Sequence, residues 1–253
     1  MAFVEVSKQG HVGIVTMNRP ETLNALSSAV FADLLKAFDV VENDEEIYVV
    51  VVTGAGRSFV AGADISEMAT MNVVEGKNFG DLGNQAMLRL ERMEKPTIAA
   101  INGFALGGGC ELSMACDIRI ASRSARLGES YMNLGIVPGD GGTYFLPRIV
   151  GADKALDMFW TARTLTGEEA EKAGLVTFCV PDEELDSFTQ SYMERLASGP
   201  QQAMRMTKRA VRQGAGIPLR TALDMISSSM GIVTELPDFH DRVEKVRQKI
   251  TSK

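Results

Sequence analysis

Cysteine, histidine and clustered positive charge are scarce in this chain, and each scarcity removes a class of chemistry. Its three cysteines, Cys110, Cys116 and Cys179, form no CxxC pair. They suit a reducing cytosol and argue against both a disulfide frame and a zinc site. The two histidines, His11 and His240, lie at opposite ends of the chain. A Ser-His-Asp triad or a histidine-rich metal centre is therefore not expected, and no metal is expected at all. Lys and Arg total 26 against 33 Asp and Glu, for a net charge of −7. No basic run stands out, so a nucleic-acid partner is not expected. The apolar run Tyr48-Val49-Val50-Val51-Val52 is far short of the roughly 20 residues of a membrane span. Met1 to Val6 carry no basic or apolar leader pattern, so a cytoplasmic protein without a membrane partner is expected.

What is present is an ordinary globular composition. The 253 residues are 45% apolar and 23% charged, enough for one or two domains with a sizeable core. Short apolar runs alternate with amphipathic stretches. Val12–Met17, Val49–Thr53, Thr97–Ile101 and Ile118–Ala121 read as strands. Ser27–Val41 reads as a helix with Ser27 or Ser28 as its cap, and further helices are expected around Met87–Met93 and over Glu111–Ala115. Past Gly151 helices take over, over Lys154–Thr161, Leu185–Leu196, Gln201–Gln213, Leu219–Met230 and Phe239–Ile250. Thr166-Gly167-Glu168-Glu169 reads as a capping box. The alternation predicts an α/β fold, with a core over 1–198 and a helical region over 199–253 hinged at Gly199-Pro200. Gly54-Ala55-Gly56-Arg57-Ser58-Phe59 starts like a dinucleotide fingerprint but lacks its last glycine, and no helix is expected to start there.

Two loops of small residues each lead from a strand into a helix. One is Phe59-Val60-Ala61-Gly62-Ala63-Asp64-Ile65; the other is Gly103 to Leu112, with Gly107-Gly108-Gly109 at its centre. Either alone reads as a tight turn. Together they can aim one N–H each at a single oxygen, which makes an oxyanion hole. Two carboxylates lie nearby in the sequence. Glu111 follows the three glycines, where the helix dipole favours an acid; Asp140 sits in Pro138-Gly139-Asp140-Gly141-Gly142, a common turn pattern. Paired near an oxyanion hole, they can exchange protons beside a carbonyl.

At these residues the chain resembles the crotonase, or enoyl-CoA hydratase/isomerase, superfamily. The likeness runs from about residue 3 into the C-terminal helices. It rests on Asn18-Arg19-Pro20 with Asn24-Ala25-Leu26, on Ala61-Gly62-Ala63-Asp64-Ile65, on Lys95 to Gly103, on Gly107-Gly108-Gly109-Cys110-Glu111-Leu112, on Leu134 to Gly139, and on Leu165-Thr166-Gly167. The resemblance implies a spiral of ββα turns with a C-terminal helical trimerisation region, and a homotrimer or homohexamer. It implies an acyl-CoA thioester as substrate. No resident cofactor is implied, since coenzyme A is part of that substrate. By position, the Ala63 and Gly108 N–H groups would hold the thioester oxygen. Ala25, Ala61, Gly62, Asp64 and Ile65 would lie along the coenzyme A arm, largely through main-chain atoms. Glu111 matches the first catalytic glutamate of the hydratases.

The chain also departs from that pattern. Counting back from Gly135 puts Tyr131 where hydratases carry their second glutamate. Glu129, two residues off, is expected to be a surface or structural residue. Asp140 stands where dienoyl-CoA isomerases and dihydroxynaphthoyl-CoA synthases carry a working aspartate. The leading expectation is an enoyl-CoA hydratase using Glu111 and Asp140. The alternatives are an enoyl- or dienoyl-CoA isomerase using Asp140, and a thioester binder without activity. Phe79–Met93 is expected mainly as core, and the basic stretch Arg242–Lys249 as a solvated helix face.

Overall fold

The computed structural model describes residues 2–251, which divide into two units between Glu194 and Arg195. The first unit opens with an antiparallel pair, β1 (Val4–Gln9) and β2 (Val12–Met17), followed by helix α1 (Ser28–Asn43). Ser27 caps α1, its hydroxyl accepting from the Val30 N–H at 3.3 Å. Three turns of one pattern follow. The first is β3 (Val49–Gly54), β4 (Ser58–Val60), the short helix α2 (Ile65–Met68) and the long α3 (Val73–Arg92). The second is β5 (Thr97–Ile101), β6 (Phe104–Leu106) and α4 (Gly108–Ala115). The third is β7 (Ile118–Ser122), β8 (Arg126–Gly128), a 3-10 turn at Ser130–Leu134, then α5 (Gly142–Val150) and α6 (Ala152–Thr161). Strand β9 (Thr164–Thr166), helix α7 (Gly167–Ala173), strand β10 (Phe178–Val180) and helix α8 (Leu185–Ala197) come last.

The strands sort into two sheets. The larger runs β1-β2-β3-β5-β7-β10, parallel from β2 onward; the smaller runs β4-β6-β8-β9. Each turn thus places one strand in each sheet before its helix, and this is the ββα spiral that the resemblance implies. The register sets Val51 beside Ile98, and Ile98 beside Ile118. Parallel strands are covered on both faces, which is why Val49 to Val52 form an unbroken buried apolar run. At the corner between the sheets, the buried Asn24 side chain donates to Ala55 O, Ser58 O and Phe59 O at 3.0, 2.8 and 3.2 Å. Asn102 performs the same service for Gly54 O and Gly56 O at 2.7 and 2.9 Å.

Several elements differ from the sequence reading. The helix expected around Met87–Met93 begins at Val73, where Asn72 and Glu75 form a capping box. Three glycines inside it dilute the helical signal. Helix α4 begins at Gly108 rather than Glu111. Helix α5 was not anticipated, since it opens on glycine and contains Pro147. The strands of the small sheet are three residues long, too short to show a period. The capping box at Thr166 and Glu169 is present as expected.

In the second unit, α9 (Gln201–Gly214), α10 (Leu219–Thr234) and α11 (Pro237–Thr251) lie close to the expected spans. Within the basic stretch, Arg242 bonds both Asp238 oxygens at 2.8 and 2.9 Å and Ser198 O at 3.0 Å. Among the described residues no helix is long and apolar enough to cross a membrane.

Candidate active site

The loop from β4 into α2 is pinned from three sides. Leu26 lies beside Ala63 in a parallel bridge, the Leu26 N–H donating to Gly62 O at 2.8 Å and the Asp64 N–H to Leu26 O at 2.7 Å. This pairing uses the Gly62 carbonyl and the Asp64 N–H and leaves the Ala63 N–H out. Asp64 caps α2 through the Ser66 N–H at 3.0 Å and pairs with Arg19 Nη1 at 2.8 Å. That guanidinium, the largest influence on it, holds the Asp64 carboxyl below its ordinary range. Glu67 reaches back to the start of α1, accepting from the Ser28 N–H at 3.0 Å and from the Ser28 hydroxyl. The Ala25 and Ala61 amides are bonded to Thr22 O and Leu23 O at 3.2 and 3.1 Å. Neither of these N–H groups is therefore left over as a donor.

The second loop opens α4. Gly107 donates to Gly128 O at 2.8 Å, and the Glu111 N–H returns to Gly107 O at 3.0 Å. Gly108 is the first helical residue, where an N–H has no intrahelical acceptor. Leu26 joins the two loops: a methyl group on Gly108 would lie 2.9 Å from Leu26 Cδ1 and 2.7 Å from Asp140 Oδ2. Only glycine leaves room there for both neighbours.

Glu111 and Asp140 are brought together, as the sequence reading expected, and both are buried. Glu111 Oε2 accepts from the Asp140 N–H at 3.0 Å and from the Tyr131 hydroxyl; Oε1 accepts from the Gly142 N–H at 2.6 Å. The Asp140 carboxyl accepts no hydrogen bond from the described residues. It lies between α3 and α4, one oxygen against Gly83 and the other against Gly108. Burial raises both carboxyls, with Asp140 adding to the rise on Glu111, and the pair titrates at about 6 and about 7. The pair therefore takes up and releases protons near neutrality. The Tyr131 phenol is pushed up by burial and then by Glu111, so it stays neutral.

Of the two expectations for Glu129, surface or structural, the second holds. It is not on the surface: it has no exposed area, and neither carboxylate oxygen has a hydrogen-bond partner. Burial and then Glu111 push its carboxyl well above the ordinary range. An unpaired charge there would cost several kcal/mol, so the group is neutral. Sequence reasoning missed Asn24 and the Tyr131 hydroxyl. The former had a signal, since asparagine tolerates the left-handed backbone that Asn24 adopts at φ 59°. Tyr131 itself stood at the second-glutamate position, but its bond to Glu111 spans 20 residues of chain and had no local signal. Ile65 is half exposed, with its side chain outside the core. Among the described residues no cluster of histidine, cysteine or carboxylate side chains could hold a metal ion.

Comparison with known proteins places this geometry. The family model for enoyl-CoA hydratase/isomerase matches residues 7–236. A short-chain-enoyl-CoA hydratase of Clostridium acetobutylicum is 44% identical, over 97% of this chain and 95% of its own length. A crotonyl-CoA hydratase of Syntrophomonas wolfei is 39% identical, over 90% of this chain and 88% of its own. The crystal structure of an enoyl-CoA hydratase from Bacillus anthracis superposes with a TM-score of 0.94 at 36% identity, covering 98% of this chain and 96% of that one. With that match to the family model and those shared identities, the chain belongs to the enoyl-CoA hydratase/isomerase family.

Proposed function

We propose that this enzyme is an enoyl-CoA hydratase, adding water across the double bond of a 2-enoyl-CoA thioester. The observation that carries the reading is the buried Glu111–Asp140 pair beside Gly108, the first N–H of a helix. The Ala63 and Gly108 amides bind the thioester oxygen and stabilise the negative charge that develops on it. One such donor is worth about 2.7–4 kcal/mol in the transition state. The hydrogen bonds divide the proton work. Three donors on Glu111 favour its ionised form, and their absence on Asp140 favours the neutral acid. Glu111 takes a proton from water as the water oxygen bonds to Cβ. The electron pair of the double bond moves toward the thioester oxygen, and the Asp140 carboxyl gives its proton to Cα. Return of the proton from Glu111 to Asp140 restores the pair. Ala25, Ala61, Gly62, Asp64 and Ile65 lie along the coenzyme A arm.

The similarity to proteins named as short-chain and crotonyl-CoA hydratases supports the same class of substrate. In this reading no resident cofactor takes part, and the chain works in the cytoplasm as a homotrimer or homohexamer. Steady-state hydration of short and medium trans-2-enoyl-CoA thioesters tests it. Turnover by the wild type and its loss in Glu111→Gln are expected; no hydration of any such thioester overturns the reading.

A second reading is favoured by one observation, the lack of any donor on the Asp140 carboxyl. Without donors the ionised form of Asp140 is a stronger base, and in that form it would draw a proton from an acyl carbon and make the enzyme an isomerase. Deuterium exchange into a 3-enoyl or dienoyl thioester, absent in Asp140→Asn, identifies that case.

A further inference from the structure

Tyr131 occupies the position where the sequence comparison places a second glutamate, and its surroundings give it a different task. A carboxylate offers about four acceptor sites, two on each oxygen. On Glu111 Oε2 both are filled, one by the Tyr131 hydroxyl and one by the Asp140 N–H. On Oε1 one is filled by the Gly142 N–H. A single site is left, and it is on Oε1. The Tyr131 ring also packs over the oxyanion loop: a methyl group on Gly107 would lie 3.5 Å from Tyr131 Cζ, and one on Gly108 would lie 3.8 Å from the hydroxyl. One side chain therefore touches the carboxylate and flanks the peptide that links Gly107 to Gly108.

We propose that Tyr131 is a positioning residue: its hydroxyl locks Glu111 so that only Oε1 faces the reactants, and its ring braces the Gly108 amide. In this way Tyr131 fixes the direction from which water is held relative to the thioester oxygen. The Asp140 carboxyl, which accepts no such bond from the described residues, is left as the proton donor of the pair. This inference rests on the hydratase reading, and it deepens that reading by assigning which oxygen does the work.

The groups facing Glu111 are few. Asp140 lies before α5, Tyr131 in the 3-10 turn, and Glu129 and the Cys110 thiol below it. The charged side chains of α3 lie on its exposed face, where Lys77 meets Asp81 and Arg89 meets Asp39 and Glu42. Arg148 of α5 stacks on Tyr144. Strands β4 and β6 bring no titratable residue. Loss of the Tyr131 hydroxyl therefore falls on Glu111 directly.

The test is a side-chain carboxyl NMR titration with labelled glutamate, the Glu111 signal being assigned through Glu111→Gln. Tyr131→Phe keeps the ring over Gly107 and removes one donor from the ionised form of Glu111. Its Glu111 midpoint is expected to rise by about one pH unit, a tenfold change in proton affinity. In the same variant kcat for enoyl-CoA hydration falls about tenfold or more, with KM little changed. A Glu111 midpoint that stays where it is, or moves down, overturns the proposal whatever happens to the rate. Absence of wild-type hydration would sink the hydratase reading instead, and the titration would still judge Tyr131.

Discussion

The backbone N–H of Asp140 donates to Glu111 Oε2 at 3.0 Å, so one residue supplies both a tether for its partner carboxylate and the second carboxyl of the pair. The turn Pro138 to Gly142 is thereby part of the site. It fixes Glu111 through two amides, those of Asp140 and Gly142, and delivers the Asp140 side chain into the space between Gly83 and Gly108.

In the proposed mechanism, removing either acid stops proton transfer without emptying the site. Asp140→Asn and Glu111→Gln are each expected to lower kcat by about 10²–10⁴-fold. The double variant is expected to be little worse than the poorer single one, because the two act as a unit. Steady-state rates with a short trans-2-enoyl-CoA read this directly.

Gly83→Ala tests where Asp140 lies. The added methyl would overlap Asp140 Oδ1 and come within 3.2 Å of Phe31 Cζ. Alanine is worth about 1 kcal/mol more than glycine inside a helix, so the loss is expected in kcat and not in helix formation. Combined with Asp140→Asn, Gly83→Ala should cost little further activity. Additive losses would place the damage elsewhere.

Buried acids make the protein less stable in mild alkali. Glu111, Asp140 and Glu129 all have folded-state values raised above those of the unfolded chain. Their contribution is fully present below the ordinary carboxyl range near pH 4 and is lost as pH rises through the folded values, about 6 and about 7 for the Glu111–Asp140 pair. The unfolding midpoint is therefore expected to be higher at mildly acidic than at mildly alkaline pH. Glu129→Gln should raise the alkaline midpoint, on the order of 5 °C, and narrow the gap. Thermal unfolding across pH checks both.

Asn24 holds the corner between the sheets and is 1% exposed. Asn24→Ala would leave buried carbonyls unpaired and place alanine in a left-handed backbone. A loss of about 2–4 kcal/mol is expected in urea unfolding.

Much of this was legible in the sequence, for reasons that differ by residue. The long parallel strands announce themselves through Val49 to Val52 and Thr97 to Ile101, because burial on both faces demands continuous apolar runs. Glu111 stood out because it follows three glycines, and Asp140 because its turn lies where a related family keeps an acid. The small sheet was hidden in three-residue strands whose pairing is settled by the spiral as a whole. Glu129 reads as a surface or a structural residue, because its spacing from Tyr131 does not say which way it points; following Gly128 at the end of β8, it turns inward. The bond from Tyr131 to Glu111 joins an irregular turn to a helix, and no local pattern encodes such a contact.

Turnover of a trans-2-enoyl-CoA in deuterated water, followed by NMR of the product, shows whether water adds at Cβ while Asp140 protonates Cα. A 3-hydroxyacyl-CoA with one deuterium at Cα is expected from the wild type, and a rate at least about 10²-fold lower from Asp140→Asn. A product labelled at Cγ without a hydroxyl, or an Asp140→Asn enzyme as fast as the wild type, would contradict the proposed mechanism.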